Sequence, residues 1–252
     1  MKNYKITVQY DGTRYKGWQV QKSTEDTIQG KLQHVLETLV KHPVEVIGSG
    51  RTDAGVHASG QIANFHIEDG YCEEKIMRWL NELLPGDIAV TEICEVEERF
   101  HSRYQAEKKM YRYRIHTSIV PNVFERKYVY EYLMPLDIER MRKAADFLIG
   151  THDFKAFCGN KKMKKSTVRR IYQIDIEESD SEISIVYTGN GFLQNMIRII
   201  TGTLIEIGDG RREPEEMIQI LESKDRSMAG YTVPPQGLIL EQVTYAKMGS
   251  NQ

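Results

Sequence analysis

Polar and apolar residues alternate from Tyr4 through Ile6, Val8 and Tyr10, the period of a half-buried strand. Asp11-Gly12 punctuates it. The irregular stretch from Tyr15 to Gln21 carries aromatics that suit either core packing or a ligand wall, with core packing favoured. A helical rhythm follows, with Ile28, Leu32, Val35, Leu36 and Leu39 forming one apolar stripe. Asp26, with Gln29 three residues on, reads as its N-cap in a capping-box pattern. Pro43 ends it. Val44 to Ile47 and Gln61 to Ile67 read as strands, with Ala63, Phe65 and Ile67 on one face. Glu73 to Leu84 is a second helix, with Ile76, Leu80, Leu83 and Leu84 inward and Pro85-Gly86 as the stop. Ile88, Val90, Cys94 and Val96 mark another strand. This order, β-α-β-β-α-β, is the ferredoxin-like one.

The second half repeats the order without repeating the residues. Lys109 to His116 is a strand with Tyr111 and Tyr113 on one face and Met110, Arg112 and Arg114 on the other. Asp137 starts a helix carrying Met141, Ala144, Ala145 and Leu148, which Gly150 stops. Arg170 to Glu177 and Ile183 to Tyr187 are strands, and Gly191 to Ile207 is a long helix. Pro214 suits the first turn of a short helix containing Met217, Ile218 and Leu221. Leu238, Leu240, Val243 and Tyr245 form a final strand with an irregularity between Leu240 and Val243. The expectation is an α+β protein of two RRM-like, ferredoxin-like halves, residues 1–105 and 106–247, followed by a frayed tail at 248–252. Two such halves imply a cleft between two sheets, and ligands favour such junctions.

Composition narrows the class. The 252 residues suffice for a sizeable core, and no apolar run has membrane-spanning length. The N-terminus enters a strand at once, with no signal-peptide pattern, so a cytoplasmic protein is expected. Three widely spaced cysteines and seven histidines fall into no metal-ligand spacing. A formal net charge of −2 argues against a non-specific nucleic-acid coat but permits a local basic groove.

The densest chemistry lies in Gly48-Ser49-Gly50-Arg51-Thr52-Asp53-Ala54-Gly55-Val56-His57-Ala58-Ser59-Gly60, a glycine-framed loop between two strands. It lacks the Gly-Lys-Ser/Thr of a Walker A and the Gly-x-Ser-x-Gly of a serine hydrolase. Asp53 is either a turn residue bonding its own backbone or a working carboxylate able to act as a nucleophile. Arg51, two positions earlier, either lies beside Asp53 or leans towards a phosphate. His57 has no role beyond packing. Two basic clusters complete the picture. Lys108, Lys109, Arg112 and Arg114 interleave with Tyr111 and Tyr113, and Lys161, Lys162, Lys164, Lys165, Arg169 and Arg170 form the densest positive run. Cations hold phosphates and rings stack on exposed bases, so the combination suits RNA.

Gly50-Arg51-Thr52-Asp53-Ala54-Gly55-Val56-His57-Ala58 resembles the signature of the tRNA pseudouridine synthase A family. Tyr10-Asp11-Gly12-Thr13-Arg14-Tyr15-Lys16-Gly17-Trp18-Gln19 and Phe100-His101-Ser102-Arg103-Tyr104 resemble further blocks of it. So do His152-Asp153-Phe154, Gly191-Phe192-Leu193 through Arg198, and Ala229-Gly230-Tyr231-Thr232-Val233-Pro234-Pro235-Gln236-Gly237-Leu238. Val233 stands where the family more often has alanine. The resemblance runs from about Tyr4 to Tyr245. It implies the pseudouridine synthase fold and isomerisation of uridine to pseudouridine at nucleotides 38, 39 and 40 of the tRNA anticodon arm, without metal or cofactor. It implies Asp53 as nucleophile, Arg198 as its basic partner, Arg51 in displacing the base, and Tyr111 packed on the target base. It also implies a homodimer with tRNA as partner. The run Lys161, Lys162, Lys164, Lys165 and Arg169 is the candidate tRNA-backbone contact. The alternative is a non-catalytic RNA-binding protein of two RRM-like units, which lacks the usual RRM stacking motif.

Overall fold

Alternating apolar residues at the N-terminus build the first strand, β1 (Lys2–Tyr10), with Tyr4, Ile6, Val8 and Tyr10 buried. The structure, a computed structural model, describes residues 1–160 and 162–246; Lys161 and the tail expected at 248–252, with Lys247 before it, lie outside the described residues. The chain divides into two units. Among the described residues the first holds Met1–Glu107 and the stretch 239–246, and the second is Lys108–Leu238.

In the first unit β1 leads to α1 (Ile28–Val40), β2 (Ile47–Gly48), β3 (His57–Ile67), α2 (Glu73–Leu83) and β4 (Ile88–Val96). The strands pair antiparallel in the order β4-β1-β3-β2, so the ferredoxin-like order read from the periodicity is present. Three local expectations change. The cap of α1 is Thr27, whose hydroxyl accepts from the Gly30 N–H at 3.2 Å, rather than Asp26. Gln29 is occupied elsewhere: its Nε2 donates to the Val46 carbonyl at 2.7 Å, and its Oε1 accepts from the Val20 N–H at 2.9 Å. That same bond occupies the Val46 carbonyl, so Val44 and Val46 are buried but make no ladder, leaving β2 only two residues long. Leu83, the last residue of α2, is half exposed, while Leu84 just beyond it is buried with Ile76 and Leu80.

The second unit contains β5 (Ala106–His116, entering from the first unit), β6 (Tyr130–Glu131), α3 (Ile138–Asp146), β7 (Gly150–Asp153), β8 (Val168–Glu178), β9 (Glu182–Gly189), α4 (Met196–Gly208) and α5 (Glu216–Ser223). β5, β9, β8 and β7 pair antiparallel in that order, and β6 lies parallel to β5. Asp137 caps α3 by accepting from the Arg140 N–H. The helix expected from Gly191 begins only at Met196, because Asn195 adopts a left-handed φ of 59° that a continuing helix does not permit.

The last strand, β10 (Leu238–Tyr245), corrects the expected boundary at 106–247. It runs parallel to β3, with Ile239 opposite His57 and Leu240 opposite Ala58, and so belongs with the first unit. Its buried face shifts between Leu240 and Val243, as the sequence pattern indicates. Among the described residues no helix is long and apolar enough to cross a membrane.

Candidate active site

The loop between β2 and β3 is held at its entrance, middle and exit by bonds inside the first unit. At the entrance, the Ser49 N–H donates to the Ile62 carbonyl at 2.7 Å and its Oγ to Gln61 Oε1 at 2.6 Å. Gln61 Nε2 then donates to the Gly50 carbonyl at 3.1 Å. In the middle, Thr52 is fixed twice. Its carbonyl accepts from the Trp18 N–H at 3.1 Å, and its hydroxyl shares a 2.8 Å bond with the Tyr10 hydroxyl. Burial pushes the Tyr10 phenol well above its ordinary range, so it stays a neutral hydrogen-bonding group. At the exit, the Val56 N–H closes a turn onto the Asp53 carbonyl at 3.2 Å.

The turn after β1 lies against this loop so closely that it needs glycine. A Cβ on Gly12 would sit 2.0 Å from the Val56 carbonyl oxygen. Gly17 has φ +97°, and a Cβ there would come within 2.7 Å of the Thr52 carbonyl oxygen. The Gly12 N–H donates to Nδ1 of the buried His57 at 3.0 Å. That bond defines a role for His57 which the sequence did not show: it ties the turn after β1 to the first residue of β3. Asp53 thus follows a residue anchored through both backbone and side chain, and its own carbonyl is anchored too. It is half-buried, whereas Arg51 is exposed and donates from Nε to Gln19 Oε1 at 3.0 Å. Gln19 Nε2 donates in turn to Gln29 Oε1 at 2.7 Å, so Arg51 is linked through two amides to α1.

The other candidate residues lie in the second unit. Tyr111, on β5, is buried opposite Tyr187 and meets Phe192 edge-on at 5.4 Å between ring centroids. Arg198, in the first turn of α4, donates from Nε to the Val233 carbonyl at 2.8 Å and from Nη1 to Asn195 Oδ1 at 3.1 Å. Lys162, Lys164 and Lys165 lie on the segment before β8, with Lys162 and Lys165 exposed and Lys164 also open to solvent, and Lys161 lies outside the described residues. Arg169 is different. It spends Nη1 on the carbonyls of Ser166 and Val168, at 3.0 and 2.6 Å, and burial lowers its pKa. Arg114 is withdrawn as well, held by Glu182 and Glu125. Lys108 and Arg170 both lie 5.3 Å from the centre of the Tyr172 ring, cations supported on an aromatic face. Among the described residues no group of three or more His, Cys, Asp or Glu side chains is arranged to hold a metal ion.

The profile of the tRNA pseudouridine synthase family matches residues 6–105 and 144–246, which include the Asp53 loop and Arg198. The chain belongs to the tRNA pseudouridine synthase family. A tRNA pseudouridine synthase A of Bacillus sp. (strain KSM-64) is 47% identical over 245 residues, covering 97% of this chain and 100% of the relative. One from Thermoanaerobacter sp. (strain X514) is 45% identical with the same coverage. Among solved structures, a chain from an H/ACA RNP bound to a substrate RNA containing 2'-deoxyuridine superposes with a TM-score of 0.35 at 10% identity, over 80% of this chain and 44% of that one.

Within this pseudouridine synthase, Asp53 and Arg51 sit on one unit and Tyr111 and Arg198 on the other. Tyr111 falls between the two stretches of the family profile but inside the long alignments with the relatives. Residues that sequence reading passed over are those that hold the loop: Tyr10, Gln29, Gln61 and His57. Their signal is faint, since a buried polar side chain looks like any other polar residue until its partner is known.

Proposed function

We propose that this pseudouridine synthase isomerises uridine to pseudouridine at nucleotides 38, 39 and 40 of the tRNA anticodon arm, with the Asp53 carboxylate as nucleophile. The observation that supports it most is the family match running through a loop whose backbone is fixed on both sides of Asp53. A nucleophile gains from such fixing because the orientation is set before substrate arrives. In the reaction the bond from N1 of uracil to the ribose C1′ breaks, the base turns, and C5 bonds to C1′. The C5 hydrogen leaves as a proton and N1 gains one, so atoms and electrons balance without an external oxidant or reductant.

In this reading Arg198 is the basic partner of Asp53. Tyr111 packs on the target base, and Arg51 holds the nucleotide out of the stack, since chemistry on a stacked base requires its extrusion. Lys162, Lys164 and Lys165 bear on the tRNA backbone with Lys161, while Arg169 contributes by holding its own turn. The enzyme works in the cytoplasm as a homodimer spanned by one tRNA; equilibrium sedimentation at twice the chain mass is the expected result, and a monomer mass would remove that part.

Tritium at uridine C5 is released as pseudouridine forms. Purified protein should release it from unmodified tRNA transcripts. Asp53→Asn should abolish release while binding tRNA with unchanged affinity. No release by the unaltered protein would overturn the reading, and full release by Asp53→Asn would overturn the assignment of the nucleophile.

A further inference from the structure

Between β4 and β5, Phe100-His101-Ser102-Arg103-Tyr104-Gln105 forms a turn pinned on several sides. Ser102 is fully buried: its N–H donates to Asn64 Oδ1 at 3.0 Å, its Oγ to the Ile47 carbonyl at 2.5 Å, and its carbonyl accepts from the Tyr245 hydroxyl at 2.7 Å. Phe100 is buried against Tyr245, with ring centroids 5.2 Å apart. Its carbonyl accepts from Asn3 Nδ2 at 2.9 Å. His101 and Gln105 close the turn with two reciprocal bonds, 2.9 and 3.2 Å. Nδ1 of His101 accepts from the N–H groups of Arg103 and Tyr104, at 3.2 and 3.4 Å.

This scaffolding carries a tyrosine pointing into solvent. Tyr104 is 80% exposed. Its ring centroid lies 4.1 Å from that of His101 with 32° between the planes, so one face already has an aromatic partner. An exposed ring held by a rigid turn loses little conformational freedom when something stacks on it. The position is also specific. Ser102 bonds the carbonyl of Ile47, which directly precedes Gly48 and the Asp53 loop, and its N–H bonds Asn64 on β3, which pairs with Ile47. The aromatic turn and the Asp53 loop therefore share their supports. Arg99 and Arg103 beside it are exposed, cations of the kind that accompany stacked bases along a phosphate backbone. The nearby Glu98 carboxylate faces His66, 3.7 Å away.

The geometry points to Tyr104 as a stacking platform for a nucleobase of the substrate tRNA other than the uridine that reacts. This rests on the tRNA reading above. The ring binds through its free π-face, and the hydroxyl is dispensable. Tyr104 touches none of the reacting atoms, so its contribution belongs to binding.

The test compares Tyr104→Ala, Tyr104→Leu, Tyr104→Phe and Tyr104→Trp in tritium release, with thermal unfolding confirming that each folds. Removal of one stacked base is expected to raise KM by roughly tenfold in Tyr104→Ala, with kcat within about twofold. Phe and Trp should restore KM and Leu should not. An unchanged KM in Tyr104→Ala, or rescue by Leu equal to that by Trp, would overturn the inference. A second measurement needs no turnover. Emission from Tyr104→Trp should be quenched on saturation with unmodified tRNA, relative to the unaltered protein with its Trp18 and Trp79. No added quenching at saturation overturns the platform. A protein that binds tRNA and releases no tritium defeats the proposed reaction, while the quenching still decides on Tyr104.

Discussion

A single missing methyl group lets the turn after β1 touch the Asp53 loop. Gly12→Ala would drive a Cβ into the Val56 carbonyl, whose own N–H closes the turn on Asp53. The expected cost is about 1–3 kcal/mol, because backbone must shift, and urea unfolding should show it as a lower midpoint. Tritium release should fall more than stability alone explains, since the displaced atoms belong to the Asp53 turn. Charge acts at the same scale around Asp209. Burial would raise its pKa, but Arg211 donates to both carboxylate oxygens and Tyr132 donates to Oδ2, and the net direction is down. A depressed carboxylate stabilises the fold above its unfolded pKa, near 3.8, and that stability is lost as pH falls through the lower folded value. Denaturation midpoints measured downward from pH 6 should therefore drop more steeply below about pH 4 in the unaltered protein than in Asp209→Asn. At this scale the sequence was legible where a side chain has one plausible partner. Asp137 is such a cap. It was misleading where two neighbours compete: Asp26 and Thr27 can both cap α1, and Gln29 chooses the Val46 carbonyl over the helix end.

The strands and helices with long periodic patterns were legible because burial enforces their spacing. Tyr4, Ile6, Val8 and Tyr10 face the core as alternation requires; on the shorter α5 Met217 faces inward with Ile220, while Ile218 is exposed. β6 and β7, of two and four residues, are too short to show a period and were not foreseen. The amide chain from α1 to Arg51 separates two contributions of one helix. Thr27→Ala removes only the cap and should cost about 1 kcal/mol, leaving KM for tRNA unchanged. Gln29→Ala removes the bonds to Val46, Val20 and Gln19, so it should lower stability and also raise KM by releasing Gln19 from Arg51. Equal KM values for the two variants would show that the link to Arg51 carries nothing.

For the molecule as a whole, net charge was a poor guide to where RNA would bear, because a formal −2 is spread over separate patches. Several cations are already committed: Arg114 to glutamates, Arg169 to carbonyls of its own turn. Lys162, Lys164 and Lys165 remain open to solvent, and replacing all three by Gln should weaken tRNA binding and flatten its salt dependence. The slope should fall by roughly 0.7–0.9 for each phosphate that is no longer neutralised; an unchanged slope in filter binding over about 50–200 mM salt would show that they face only solvent. The halves were visible in the sequence, but the return of β10 to β3 was not, since a strand's pattern does not name its neighbour. That return has a consequence for synthesis. The unit bearing Asp53 is assembled from both ends of the chain, and the other is a single uninterrupted span. On the ribosome, where chains emerge at about 5–20 residues per second, Lys108–Leu238 is complete before Ile239 and Leu240 can reach β3 beside His57. The part translated first is therefore finished last, because its sheet gains β10 only after the whole of the other unit has emerged.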